Sequence, residues 1–124
     1  MVVDSDILID FFRDFVKAKE FLLYTEAVRV SRVTVMEVII GVKTRQAAIK
    51  ALKQLDALGV KVIEVDDRIS AKAGDTFQEL WHRHGVGILD CFVVATALVA
   101  GEKLATRNEK YFKYIPGLDL IVPY

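Results

Sequence analysis

Short valine- and isoleucine-rich runs alternate with segments of helical periodicity along the whole chain, and this alternation restricts the fold more than any other feature. Val2 and Val3 open a first strand, and over residues 7–24 the apolar side chains of Phe11, Phe15, Ala18 and Leu22 return at helical spacing. Val28, Val30 and Ser31 form a second β-like run, followed by a helix over residues 34–44 that carries Glu37 in its first turns. Residues 46–58 are amphipathic through Ile49, Leu52 and Leu55, and Gly59 suits a left-handed cap. A third strand is expected over residues 61–65, then a helix over residues 67–84 with Asp67 as its N-cap. Residues 88–100 are apolar almost all round, the pattern of an enclosed helix. Residues 103–106 read as a strand, 108–114 as one or two helical turns, and Leu120, Ile121 and Val122 as a last strand after the Pro116-Gly117 turn. The order predicts a three-layer α/β fold, in which a short, mostly parallel central sheet is flanked by helices.

A length of 124 residues fits a single domain spanning 1–124, and 53% hydrophobic with 27% charged residues excludes a disordered chain. Lys plus Arg and Asp plus Glu each number 17, so no net charge draws the whole molecule to nucleic acid. Arg13, Lys43, Arg45 and Arg107 could meet phosphates locally, or form an ordinary solvated face. The longest nearly apolar stretch, residues 91–100, falls well short of the ~20 residues that span a bilayer, so no membrane segment is expected. The acidic opening does not read as a secretory signal, and the single Cys91 suits a reducing compartment; a cytoplasmic location is the expectation.

In open parallel sheets ligands bind beyond the carboxyl ends of the strands. Asp4 follows the first strand, Glu37 lies on the helix after the second, Asp90 opens the apolar helix, and Asn108 follows the strand ending at Thr106. Gathered together they make an acidic pocket, in which carboxylates 4 Å apart repel by about 4 kcal/mol per pair at an effective dielectric near 20. A divalent cation relieves that repulsion, and oxygen-only donors favour Mg²⁺ or Mn²⁺ over zinc. Such a site suits phosphodiester hydrolysis. Each residue also has a plainer role open to it. Asp4-Ser5-Asp6 can be a turn that starts a helix, Glu37 a capping or solvent-facing residue, Asp90 a helix cap, and Asn108 a cap as well. His82 and His84 read as surface or structural residues at a helix end, and Phe11, Phe12, Phe15 and Trp81 as core or dimer contacts.

Four segments in order resemble the PIN-domain ribonucleases, in particular the VapC-type toxins of toxin–antitoxin pairs. Val3-Asp4-Ser5-Asp6-Ile7-Leu8-Ile9-Asp10 is similar to the opening strand and first acid, at Asp4, with Asp6 at a variable polar position. The segment 34–41, Thr34 to Gly41 with Glu37, resembles the second motif, 88–97, Ile88 to Ala97 with Asp90, the third, and 104–112, Leu104 to Phe112, the last, where many members carry Asp and others Asn two residues after Thr, here Asn108. The resemblance spans essentially the whole chain. It implies a PIN-like fold and catalytic Asp4, Glu37, Asp90 and Asn108, with Asp4 and Asp90 holding Mg²⁺ or Mn²⁺. Asp6, Thr106 and Glu109 are supporting candidates. By the same resemblance the activity is endoribonuclease cleavage that restrains translation, silenced by a cognate VapB-like antitoxin, and the chain is a homodimer. Asn108 contributes no charge, which lowers the expected affinity for metal.

Two other classes are open to the sequence. A non-catalytic RNA-binding or protein-interaction module could use the same fold. A haloacid-dehalogenase-like phosphatase would use Asp4 as nucleophile and Asp6 as acid/base, although Leu8 stands where Thr or Val is usual and the chain leaves little room for a substrate cap.

Overall fold

The computed structural model describes residues 1–124 as five strands and seven helices. Strand β1 is Val2–Val3, followed by helices α1 (Ser5–Phe12) and α2 (Val16–Tyr24). Next come β2 (Arg29–Ser31), α3 (Arg32–Gly41), α4 (Arg45–Ala57) and β3 (Lys61–Ile63). The remainder is α5 (Asp67–His84), α6 (Ile88–Ala100), β4 (Leu104–Ala105), α7 (Glu109–Phe112) and β5 (Leu120–Ile121). All strands run parallel in the order β3-β2-β1-β4-β5, with Val2 opposite Leu104 and Val3 opposite Ala105. No helix is long and apolar enough to cross a membrane.

Because neighbouring strand residues face opposite ways, Val2 and Leu104 enter one apolar core while Val3 and Ala105 enter the other. The first core packs the sheet against α5 and α6 through Ile69, Ala73, Leu80, Val93 and Val94. The second packs it against α1 to α4 through Ile7, Leu8, Leu22, Val38 and Leu55. Helix–sheet–helix layering is the expected architecture, and α6 is enclosed over residues 91–97 as its composition predicts. Its first turn is not: Ile88 and Leu89 are exposed.

Several element boundaries depart from expectation. The periodic stretch 7–24 is two helices, because α1 ends in a left-handed cap at Asp14 (φ 63°), with Asp14 N–H donating to the Phe11 carbonyl and Phe15 N–H to that of Asp10. Gly is the usual residue at such a cap, so the sequence gives no visible stop. Lys43 (φ 71°) plays the same part after α3, which runs over 32–41 rather than 34–44. The N-cap of α5 is Asp66, whose Oδ1 accepts from Ile69 N–H at 2.9 Å, rather than Asp67. The third strand stops at Ile63, short of residue 65.

Candidate active site

The chain leaves β1 for one side of the sheet and, after β3, returns to the other side through β4. The reversal point therefore lies between β1 and β4, the place at which open parallel sheets bind ligands beyond their strand ends. Asp4 and Thr106 follow these two strands, and they meet: Thr106 Oγ1 lies 2.9 Å from Asp4 Oδ2 across a sequence separation of 102.

Asp4 is 4% exposed and caps α1, its Oδ1 accepting from Ser5 N–H at 2.7 Å. Burial, then repulsion from Asp6, pushes its carboxyl up to about 7, with Glu37 adding to the rise; bonds from Thr106 and Ser5 oppose it. Asp6 sits in the first turn of the same helix, accepting from Ile7 N–H at 2.7 Å and Arg107 N–H at 2.9 Å. Burial raises it above its ordinary value despite those bonds. Glu37 comes from α3 and is half-buried; burial and then Asp90 raise it, with Asp6 contributing and the Ser5 hydroxyl opposing. Asp90 stands in the first turn of α6 and accepts from Gly87 N–H at 3.2 Å, which realises its capping role; burial raises it too.

Asp4, Asp6 and Glu37 are therefore neighbours at one edge, with Asp90 beside Glu37: Asp6 and Glu37 act on Asp4, and Asp90 and Asp6 act on Glu37. They do not close into a tight cage, since no three His, Cys, Asp or Glu side chains are grouped closely enough to enclose an ion. Thr106 is fully buried beside Asp4 and also lies 3.3 Å from Asp6 Oδ2. Asn108 is exposed at the head of α7, its backbone N–H donating to Thr106 Oγ1 at 3.1 Å while its side chain caps nothing. Glu109 is exposed on α7, in that helix's first turn.

Residues missed in the sequence are Asp10 and Tyr124. Tyr124 Oη donates to Asp10 Oδ2 at 3.0 Å, Arg107 Nη1 reaches the same oxygen at 3.3 Å, and the Arg107 guanidinium lies 4.7 Å from the Tyr124 ring centroid. Arg107 is thus engaged by a carboxylate and a ring. His84 stacks on Tyr114, ring centroids 4.2 Å apart, in keeping with a structural part.

An all-parallel three-layer sheet with acids lined along its reversal point defines the class of α/β proteins that place polar chemistry beyond their strand ends. The family model described as PIN domain matches residues 1–118, and the chain belongs to the PIN domain family. That membership sets aside the haloacid-dehalogenase-like reading of Asp4 and Asp6. Among solved structures the chain is similar to a toxin–antitoxin complex from Klebsiella pneumoniae, at 29% identity and TM-score 0.82, with 99% of this chain and 97% of that one covered. It shares its fold with DNA-bound VapBC from Salmonella typhimurium, at 24% identity and TM-score 0.80, covering 99% and 97%. The fold recurs in VapBC2 from Rickettsia felis bound to a promoter DNA fragment, at 20% identity and TM-score 0.78, covering 97% and 96%. No curated protein matches the chain.

Proposed function

We propose that residues 1–124 act as a single VapC-type catalytic domain, a metal-dependent endoribonuclease toxin of the cytoplasm that cleaves RNA phosphodiester bonds, restrains translation and is silenced by a VapB-like antitoxin. The carrying observation is that Thr106 ties the buried Asp4 across the reversal point of the sheet, where Glu37 and Asp90 also sit; burial is the first cause of the raised carboxyl at all three acids, and neighbouring acids add to it at Asp4 and Glu37. Buried carboxylates that repel one another favour a site completed by a cation. The likeness to a Klebsiella pneumoniae toxin–antitoxin complex supports the antitoxin as partner.

The donors fit Mg²⁺ or Mn²⁺. Mg²⁺ keeps several waters and takes one or two carboxylates, so it does not need the three-ligand cluster that is missing here. Asp4 and Asp90 are the acids we assign to hold it, and the ion when bound activates water and offsets charge on the phosphate. Ser5 N–H and the Thr106 hydroxyl hold the Asp4 carboxyl in a fixed orientation. Glu37, made more basic by burial and by Asp90, is the group we assign to accept, as a carboxylate, the proton of the attacking water. The neutral Asn108 amide orients water or phosphate without adding charge.

Purified protein incubated with structured RNAs and Mg²⁺ or Mn²⁺ tests the reading. Cleavage lost on chelation and in Asp4→Asn and Asp90→Asn supports it, whereas equal cleavage by all three proteins assigns the activity to a contaminant. The uncharged Asn108 and the lack of a close three-acid cluster favour one other reading, a non-catalytic RNA-binding or protein-interaction module. RNA binding without metal-dependent turnover is its signature.

A further inference from the structure

The turn between β4 and α7 is fastened to α1 at successive points. Thr106 Oγ1 reaches Asp4 Oδ2 at 2.9 Å, Arg107 N–H donates to Asp6 Oδ2 at 2.9 Å, and Arg107 Nη1 meets Asp10 Oδ2 at 3.3 Å. Asp6 and Asp10, four residues apart, share one face of the helix. One residue of the turn therefore grips two successive turns of α1, once through its backbone and once through its side chain. The side-chain grip is braced: Tyr124 Oη donates to the same Asp10 oxygen, its ring lies under the guanidinium, and Phe15 backs that ring at 5.4 Å between centroids. Asn108 follows directly, tied by its N–H to Thr106 Oγ1.

We infer that Arg107 is a positioning residue, whose side chain, clasped by Asp10 and Tyr124, keeps Thr106 and Asn108 in register with Asp4. The inference rests on the nuclease reading of those acids. β4 has two residues and α7 four, so the flanking elements give the turn little anchorage of their own. Beyond Thr106 the backbone bond of Arg107 to Asp6 is a hinge point, and the attachment of the same residue's side chain to Asp10 stops rotation about it. The Arg107 side chain is 44% exposed, where an ion pair adds little to global stability. Its loss should loosen the turn and leave the fold intact. Direct contact with an RNA phosphate is the competing role, and it is disfavoured because Asp10 already offsets the guanidinium charge and the Tyr124 ring covers one face.

Amide hydrogen exchange of the metal-free protein reads the turn without reference to cleavage. In Arg107→Met the N–H groups of Arg107 and Asn108 are expected to exchange about tenfold faster, with protection in β1 and the thermal midpoint unchanged. Tyr124→Phe keeps the ring and loses only the bond to Asp10, so it should give a smaller increase. With RNA, Arg107→Met should lower kcat by about tenfold or more at unchanged KM, because the chemical groups are misplaced while binding persists. Unchanged exchange at those two amides overturns the proposal, whatever happens to RNA. Unchanged exchange combined with a raised, salt-dependent KM also overturns it and assigns Arg107 to the RNA backbone. Faster exchange in a protein that cleaves no RNA supports the clasp and sinks the nuclease reading.

Discussion

A buried carboxyl binds its proton more tightly in the folded chain than in the unfolded one, and Asp4, 4% exposed, is raised from 3.8 to about 7. Its folded value exceeds its unfolded value, so the penalty is absent below pH 4, grows as pH rises, and is complete above about 7. Three units amount to about 4 kcal/mol at most. In chelator, wild-type protein should melt at a lower temperature at pH 8 than at pH 5.5, and Asp4→Asn should flatten that slope; a wild-type midpoint that rises with pH over this range would contradict it. Cys91 gives a simpler residue-level prediction. It is 1% exposed, and burial, with Asp90 beside it, pushes the thiol up to about 11. Native protein should resist alkylation at pH 8 and react once denatured, a difference that mass spectrometry reads directly. Asp4, Glu37 and Asp90 stand out in the sequence because each interrupts or heads an apolar run. Asp10 and Tyr124 do not, since a pair 114 positions apart leaves no local pattern.

Helices α1 and α3 carry Asp4, Asp6 and Glu37 towards one another, and Gly41 sets how closely they approach. A Cβ at that position would lie 3.0 Å from Ile9 Cδ1 and Cγ1. Gly41→Val should cost about 1–3 kcal/mol by overpacking, read as a shift in the denaturant midpoint, while Gly41→Ala costs less because the Ile9 side chain can rotate. At Asp14 and Lys43 the strain has the opposite remedy. A side chain in the left-handed region costs about 1–2 kcal/mol, partly offset by the greater unfolded-state freedom of Gly. Lys43→Gly should therefore stabilise the chain by about 0.5–1 kcal/mol, and a lower denaturant midpoint would count against this account of the cap. The same caps explain what the sequence concealed. Spacing of three and four residues survives the turn at Asp14, so Phe11, Phe15, Ala18 and Leu22 read as one helix where there are two. Gly59 ends α4 visibly because it is a glycine.

For the molecule as a whole, any cation that binds only the folded chain must raise its melting temperature. At pH 7.5, Mg²⁺ or Mn²⁺ should do so in wild-type protein and much less in Asp4→Asn, as scanning calorimetry would register. The homodimer remains a proposal, and the aromatic segment supports it only in part. Phe11 and Phe12 pack partly against the core, whereas Phe15 leans on Tyr124 and is still exposed. Other exposed apolar side chains include Leu23 and Tyr24 on α2, Met36 and Ile40 on α3, Trp81 on α5, and Ile88 and Leu89 on α6. Light scattering at micromolar concentration should give twice the chain mass, and Ile40→Asp should halve it if α3 forms the contact. Layer order and strand direction were legible because alternation alone dictates them. The arrangement of the acids was not, because it depends on how three helices settle against the sheet.

The bond between Thr106 and Asp4 also has a bearing on synthesis. The partners stand 102 positions apart, and the strands carrying them sit side by side only after the intervening helices have docked. A nascent polypeptide in which Thr106 has not yet left the ribosome therefore holds Asp4 without its partner. The edge that gathers the acids is among the last parts of the molecule to assemble.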